Sequence, residues 1–183
     1  SEMIHVIAER VSKYKIGNPM DSSTRCGPMV SASQKESVLE FIRAGIAEGA
    51  TLVAGGPEDV GEFEKGHFVR PTVFKDVKPS MRIWKEEIFG PVLCIASYKD
   101  EDEALELAND TEYGLSGGVW SSDPDRALQF ARKMRTGQVS INGGPFNVSA
   151  PFGGYKKSGN GRELGVYGLE EFLEIKSIQK PIQ

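Results

Sequence analysis

Apolar residues recur at helical spacing almost from the start, at Ile4, Ile7, Ala8 and Val11. This predicts an amphipathic helix that Gly17-Asn18-Pro19 closes before a polar stretch to Pro28. Ser33 with Glu36 three residues on reads as a capping box. Val38, Leu39, Ile42 and Ile46 then form a second helical stripe, with Gly49 as its stop. Leu52-Val53-Ala54 is a short strand candidate ending in Gly55-Gly56-Pro57, and residues 57–67 read as an exposed loop or hairpin. Val69, Thr72, Val73 and Phe74 predict strand structure around Arg70-Pro71.

The second half alternates more regularly. Val92 to Tyr98 has strand length and apolarity. Asp100 and Glu103 cap a helix carrying Ala104, Leu105, Leu107 and Ala108. Leu115 to Trp120 is a further strand candidate. Asp123-Pro124 starts a helix, Asp as cap and Pro at the first position, whose buried face is Ala127, Leu128, Ala131 and Met134. Val139-Ser140-Ile141 follows as a third strand. Strand–helix–strand–helix–strand, with crossover-length helices, argues for an α/β fold with a parallel sheet and right-handed connections. Gly143 to Gly161 is glycine-rich yet holds Phe146, Phe152 and Tyr155, which makes it a structured loop rather than a linker. Residues 170–178 alternate partly, with Leu173 and Ile175 flanking Glu174, and read as an exposed strand that wants a partner edge.

Composition narrows the function. At 183 residues, 39% hydrophobic and 26% charged, the chain can bury a core and is not a disordered tail. A net charge of -4 argues against a basic nucleic-acid binder. No apolar run reaches membrane-span length and no signal pattern opens the chain, so no membrane partner and a reducing, cytoplasmic setting are expected. Cys26 and Cys94 are too few for a disulfide framework, and with His5 and His67 they show no metal-ligand spacing. Cys26 reads as a loop thiol and Cys94 as a core packer. Ser1 stands in place of an initiator Met directly before a helix, which predicts a piece cut from a longer polypeptide.

Two enzyme motifs fail on context. Gly114-Leu115-Ser116-Gly117-Gly118 matches a nucleophile elbow, but a helix precedes it and a strand follows, the reverse of what the elbow needs. Gly159-Asn160-Gly161 lacks the third glycine of a dinucleotide loop, because Leu164 stands there. Glu87 is an ordinary exposed acid unless a ligand is near; a carboxylate can accept both hydroxyls of a ribose diol.

Several segments taken in order supply that context. Glu86-Glu87-Ile88-Phe89-Gly90-Pro91 resembles a motif of the NAD(P)-dependent aldehyde dehydrogenase family. So do Asn109 to Gly114, Gly137 to Asn142, Pro151-Phe152-Gly153-Gly154-Tyr155-Lys156 and Ser158 to Gly165. Gly17-Asn18-Pro19, Gly27-Pro28-Met29-Val30 and Arg70-Pro71-Thr72 fit the same family in the same order. Each match is weak alone; eight in register cover nearly the whole chain.

The resemblance implies an α/β, three-layer parallel-sheet domain over residues 1–168 and a C-terminal strand arm over 169–183. It implies oxidation of an aldehyde to a carboxylic acid with NAD or NADP, through a cysteine thioester that water hydrolyses. Glu87 is implied to contact the nicotinamide ribose, Phe89 to lie beside the nicotinamide ring, and Phe146 and Phe152 to wall the aldehyde tunnel. Glu163 is implied to be a buried glutamate linked to proton relay. Residues 170–178 are implied to add a strand to a neighbouring subunit's sheet, giving a homo-oligomer.

The chain departs from the family in lacking its nucleophilic cysteine, its base glutamate and its Rossmann domain; Cys26 matches a non-catalytic loop position. The expectation is the C-terminal portion of an aldehyde dehydrogenase, inactive alone and partnered by a missing N-terminal cofactor domain. The rival is a non-catalytic standalone interaction or oligomerisation module derived from the family. A superfamily member that passes its thioester to coenzyme A fits the Glu87 and Gly-Arg-Glu segments less well. Removal from its partner domain predicts exposed apolar surface and self-association.

Overall fold

A computed structural model describes residues 2–58, 60–61 and 66–181. The chain divides into two compact units, Ser1–Tyr98 and Lys99–Gln183. Part of the predicted 57–67 loop, namely residue 59 and residues 62–65, lies outside the described residues.

In the first unit the opening stripe forms α1 (Glu2–Ser12). It ends before the predicted Gly17 stop; Ile16 instead pairs with Cys26 in a parallel bridge. α2 (Ala32–Ala47) is capped by Ser31, whose Oγ accepts the Gln34 N–H at 3.2 Å. The Ser33–Glu36 capping box is therefore displaced: Ser33 lies inside the helix, and Glu36 pairs with Arg43. Gly49 ends α2 as expected, with φ +93° and its N–H on the Ile46 carbonyl, the left-handed closure that glycine favours.

β1 (Thr51–Ala54), β2 (Thr72–Lys75) and β3 (Val92–Cys94) form a sheet in that order, β1 antiparallel to β2 and β2 parallel to β3. α3 (Arg82–Lys85) leads into the turn before β3. The apolar run from Val92 pairs only as far as Cys94, because β2 runs out: Lys75 is followed by Asp76 at φ +59°. The core lies where α2 covers the sheet. Val38 and Ile42 are fully buried and pack with Phe74, Val69, Ile83 and Ile88.

In the second unit α4 (Glu101–Asn109) and α5 (Pro124–Lys133) start as the caps predict. Asp100 Oδ1 accepts the Glu103 N–H at 2.9 Å, and Asp123 Oδ1 accepts those of Asp125 and Arg126 at 3.1 Å. β4 (Ser116–Val119) and β5 (Gln138–Ile141) pair in parallel. The parallel expectation holds for this pair and for β2–β3. The three strands of the second half do not join one ladder, since β3 pairs with β2.

Among the described residues of the second unit, Ala127 is the one fully buried apolar side chain. Leu128, expected on the buried face of α5, is exposed. α6 (Gly165–Glu170), which has no polar cap and carries two glycines, gave no helical signal in the sequence. Residues 173–181 adopt neither helix nor strand. The strand expected at 170–178 is not formed here, because a strand needs a ladder partner for its N–H and C=O groups.

Candidate functional site

The segment from Lys85 to Pro91 is shaped by one buried residue. Ile88 is sunk in the first unit's core, so its neighbours Glu87 and Phe89 turn outward. Of the two adjacent carboxylates, Glu86 is engaged: its Oε1 takes the Arg82 Nε–H at 3.1 Å. Glu87 is exposed, and among the described residues it has no hydrogen bond or ion pair. Its carboxylate is free to accept a vicinal diol, which fits a ribose.

Phe89 has φ +52° and its ring is 74% exposed. The left-handed conformation costs a non-glycine residue roughly 1–2 kcal/mol. Two neighbours hold it. Gln34 Nε2 donates to the Phe89 carbonyl at 3.0 Å. Gly90 lies so close to Val38 that an added Cβ would come within 2.6 Å of the Val38 side chain. An exposed flat ring beside a free carboxylate is an arrangement that a ribose bearing an aromatic heterocycle fits.

The glycine-rich loop of the second unit is stitched rather than slack. Phe152 and Glu163 exchange both backbone hydrogen bonds at 2.7 Å in an antiparallel bridge. The Gly114 carbonyl accepts the N–H groups of Gly137 and Tyr155 at 3.0 and 2.8 Å. Lys156 Nζ donates to the carbonyls of Asn109 and Thr111, both at 2.8 Å, and Ser158 Oγ accepts the Gly114 N–H. The glycine-serine-glycine run at 114–118 is thus a junction where backbones converge, with Ser116 the first residue of β4 and not an elbow.

This stitching brings Phe146 and Phe152 together edge to face. Phe152 also lines a cleft of about 360 Å³ with Gly154, Ser158, Arg162, Glu163 and Phe172, a volume that suits a small organic ligand. Glu163 is a correction: it is exposed, because nothing in the described chain covers it, whereas the resemblance implied a buried carboxyl. Sequence reading also passed over Gln34 and Lys156. Their contacts span 55 and 47 residues, a separation that carries no local signal.

Neither thiol is set up as a nucleophile. Burial raises the Cys26 pKa above its ordinary value and pushes Cys94 up to about 11. Both stay protonated at neutral pH, as a loop thiol and a core packer do. Among the described residues no three metal-binding side chains converge, and no helix is long and apolar enough to cross a membrane.

The fold and these groups define an α/β chain that presents a free carboxylate, a flat aromatic face and a phenylalanine-walled cleft. The chain belongs to the aldehyde dehydrogenase family, whose profile matches residues 1–178. It is 50% identical over 97% of its length to a 3-succinoylsemialdehyde-pyridine dehydrogenase of a Pseudomonas species, of which it covers 37%. A putative aldehyde dehydrogenase of Staphylococcus saprophyticus is 48% identical over 97% of the chain and 37% of that relative. Among solved structures, aldehyde dehydrogenase C of Pseudomonas syringae, bound to NAD+ and octanal, is 48% identical with a TM-score of 0.91, over 94% of this chain and 36% of that one. A Mycobacterium tuberculosis aldehyde dehydrogenase bound to NAD+ is 43% identical with a TM-score of 0.93, over 98% and 37%. The chain therefore spans little more than a third of the length of these relatives.

Proposed function

We propose that this chain is the C-terminal part of an enzyme that oxidises an aldehyde to a carboxylic acid with NAD or NADP, and that it is inactive alone. Glu87 receives the nicotinamide ribose hydroxyls, Phe89 flanks the ring that accepts hydride, and Phe146 and Phe152 form an apolar wall for the aldehyde. Glu163 serves in proton relay, its carboxyl covered by polypeptide outside this chain. The nucleophilic thiolate, the base and the cofactor domain lie on that polypeptide, and the working compartment is the cytoplasm. The observation that carries this reading is the pairing of a free Glu87 carboxylate with two thiols that burial keeps protonated: a ligand contact is present and a nucleophile is not.

The test has two arms. Coding sequence upstream of Ser1 should contain a Gly-Gln-x-Cys stretch, and the longer polypeptide should reduce NAD or NADP in the presence of an apolar aldehyde. The 183-residue chain should show no such activity; turnover above buffer contradicts the assignment.

The second part of the proposal is assembly. Residues 169–183 act as an arm that pairs with another subunit, giving a homo-oligomer through 170–178. Phe172, Ile175 and Ile178 are strongly exposed in the single chain, which supports the reading. Light scattering should show self-association that a chain ending at residue 168 loses; a clean monomer at high concentration overturns it.

A further inference from the structure

We infer that Gln34 is a positioning residue for the cofactor-facing segment: by donating to the Phe89 carbonyl it holds Phe89 left-handed, and so sets how the Glu87 carboxylate and the Phe89 ring are presented. The inference rests on the reading of Glu87 and Phe89 as cofactor contacts.

The donor is well founded. Gln34 sits in the first turn of α2, where its own N–H is taken by the Ser31 cap. One turn further on, Val38 is fully buried in the core. The Gln34 side chain therefore projects from a helix whose register is fixed by packing. The acceptor, a backbone carbonyl, can only be met by the N–H end of the amide, so the orientation of Gln34 is decided by chemistry. The bond length of 3.0 Å is ordinary.

The acceptor needs the help. Phe89 lies between buried Ile88 and Gly90, the latter pressed against Val38. With both flanks fixed, rotation at Phe89 is the freedom left to the segment, and a φ of +52° is not one a phenylalanine keeps by preference. Gln34 acts on the cofactor through this backbone and not as a ligand to it.

Three variants test this: Gln34→Ala and Gln34→Glu, which remove the donor, and Gln34→Lys, which restores one. In the 183-residue chain, backbone chemical shifts and the amide–α-proton coupling of Phe89 should report a left-handed residue in the unsubstituted chain and in Gln34→Lys. In Gln34→Ala and Gln34→Glu they should report its loss, with the Ile88 and Val38 signals unmoved. In the longer enzyme the KM for NAD should rise about three- to tenfold in the same two variants, the effect of one ordinary hydrogen bond, with kcat little changed and Gln34→Lys close to the parent. A Phe89 that stays left-handed in Gln34→Ala overturns the tether whatever the enzyme does. A Phe89 that relaxes while the KM stays put overturns the link to the cofactor and leaves the proposed activity standing. An unsubstituted longer polypeptide with no NAD(P)-dependent oxidation removes the proposed activity and this inference with it, although the coupling measurement still judges the tether.

Discussion

Phe146 and Phe152 meet with ring centroids 5.7 Å apart and planes inclined at 75°, the edge-to-face geometry in which an aromatic quadrupole is satisfied. Phe152 is also fixed through its backbone to Glu163, so the pair has one anchored ring and one that leans on it. Phe152→Ala should therefore release both. In the longer enzyme we expect kcat/KM for an apolar aldehyde to fall about tenfold, with Phe152→Leu recovering part of it, as steady-state kinetics will read.

The two carboxylates ahead of Phe89 should separate cleanly. Glu87→Gln should raise the KM for NAD or NADP about fivefold or more and leave the chain's urea midpoint unchanged, because the side chain touches nothing in the fold. Glu86→Gln should do the reverse, lowering stability by at most about 0.5 kcal/mol through its exposed pair with Arg82 and leaving the cofactor KM alone.

Gly137 is where the second unit tolerates no side chain. A Cβ there would stand 1.6 Å from the Gly153 carbonyl oxygen, with backbone on both sides and no rotamer to yield. Gly137→Ala should cost about 3 kcal/mol or more in a urea titration, or prevent folding of that unit. Gly49→Ala makes the contrast. It meets open space and suffers only its φ of +93°, so a loss of about 1 kcal/mol is expected.

Thiol chemistry should follow burial. With its pKa pushed up to about 11, Cys94 should react with a disulfide reagent at pH 8 about a hundredfold more slowly than an ordinary thiol. The folded state holds this proton more tightly than the unfolded state. The stability linked to it is complete below the ordinary value of 9.0 and is lost as pH rises through about 11. Denaturant midpoints measured between pH 8 and 11 should fall, and Cys94→Ala should flatten that decline.

The chain's own letters determined what depends on near neighbours. Asp100 and Asp123 announced their helices, because a cap is a contact with backbone two or three residues on. The stripe of Val38, Leu39 and Ile42 announced the core face of α2, and Glu87 and Phe89 stood out through the motif they share. Tertiary structure decided whatever depends on distant backbone. It placed the first helix cap at Ser31 rather than Ser33 and sent β3 to pair with β2 rather than with later strands. It chose Glu87 over Glu86 as the free carboxylate. It left Glu163 uncovered and the tail without a strand, since burial and ladder pairing both need a partner surface and no local pattern can supply one.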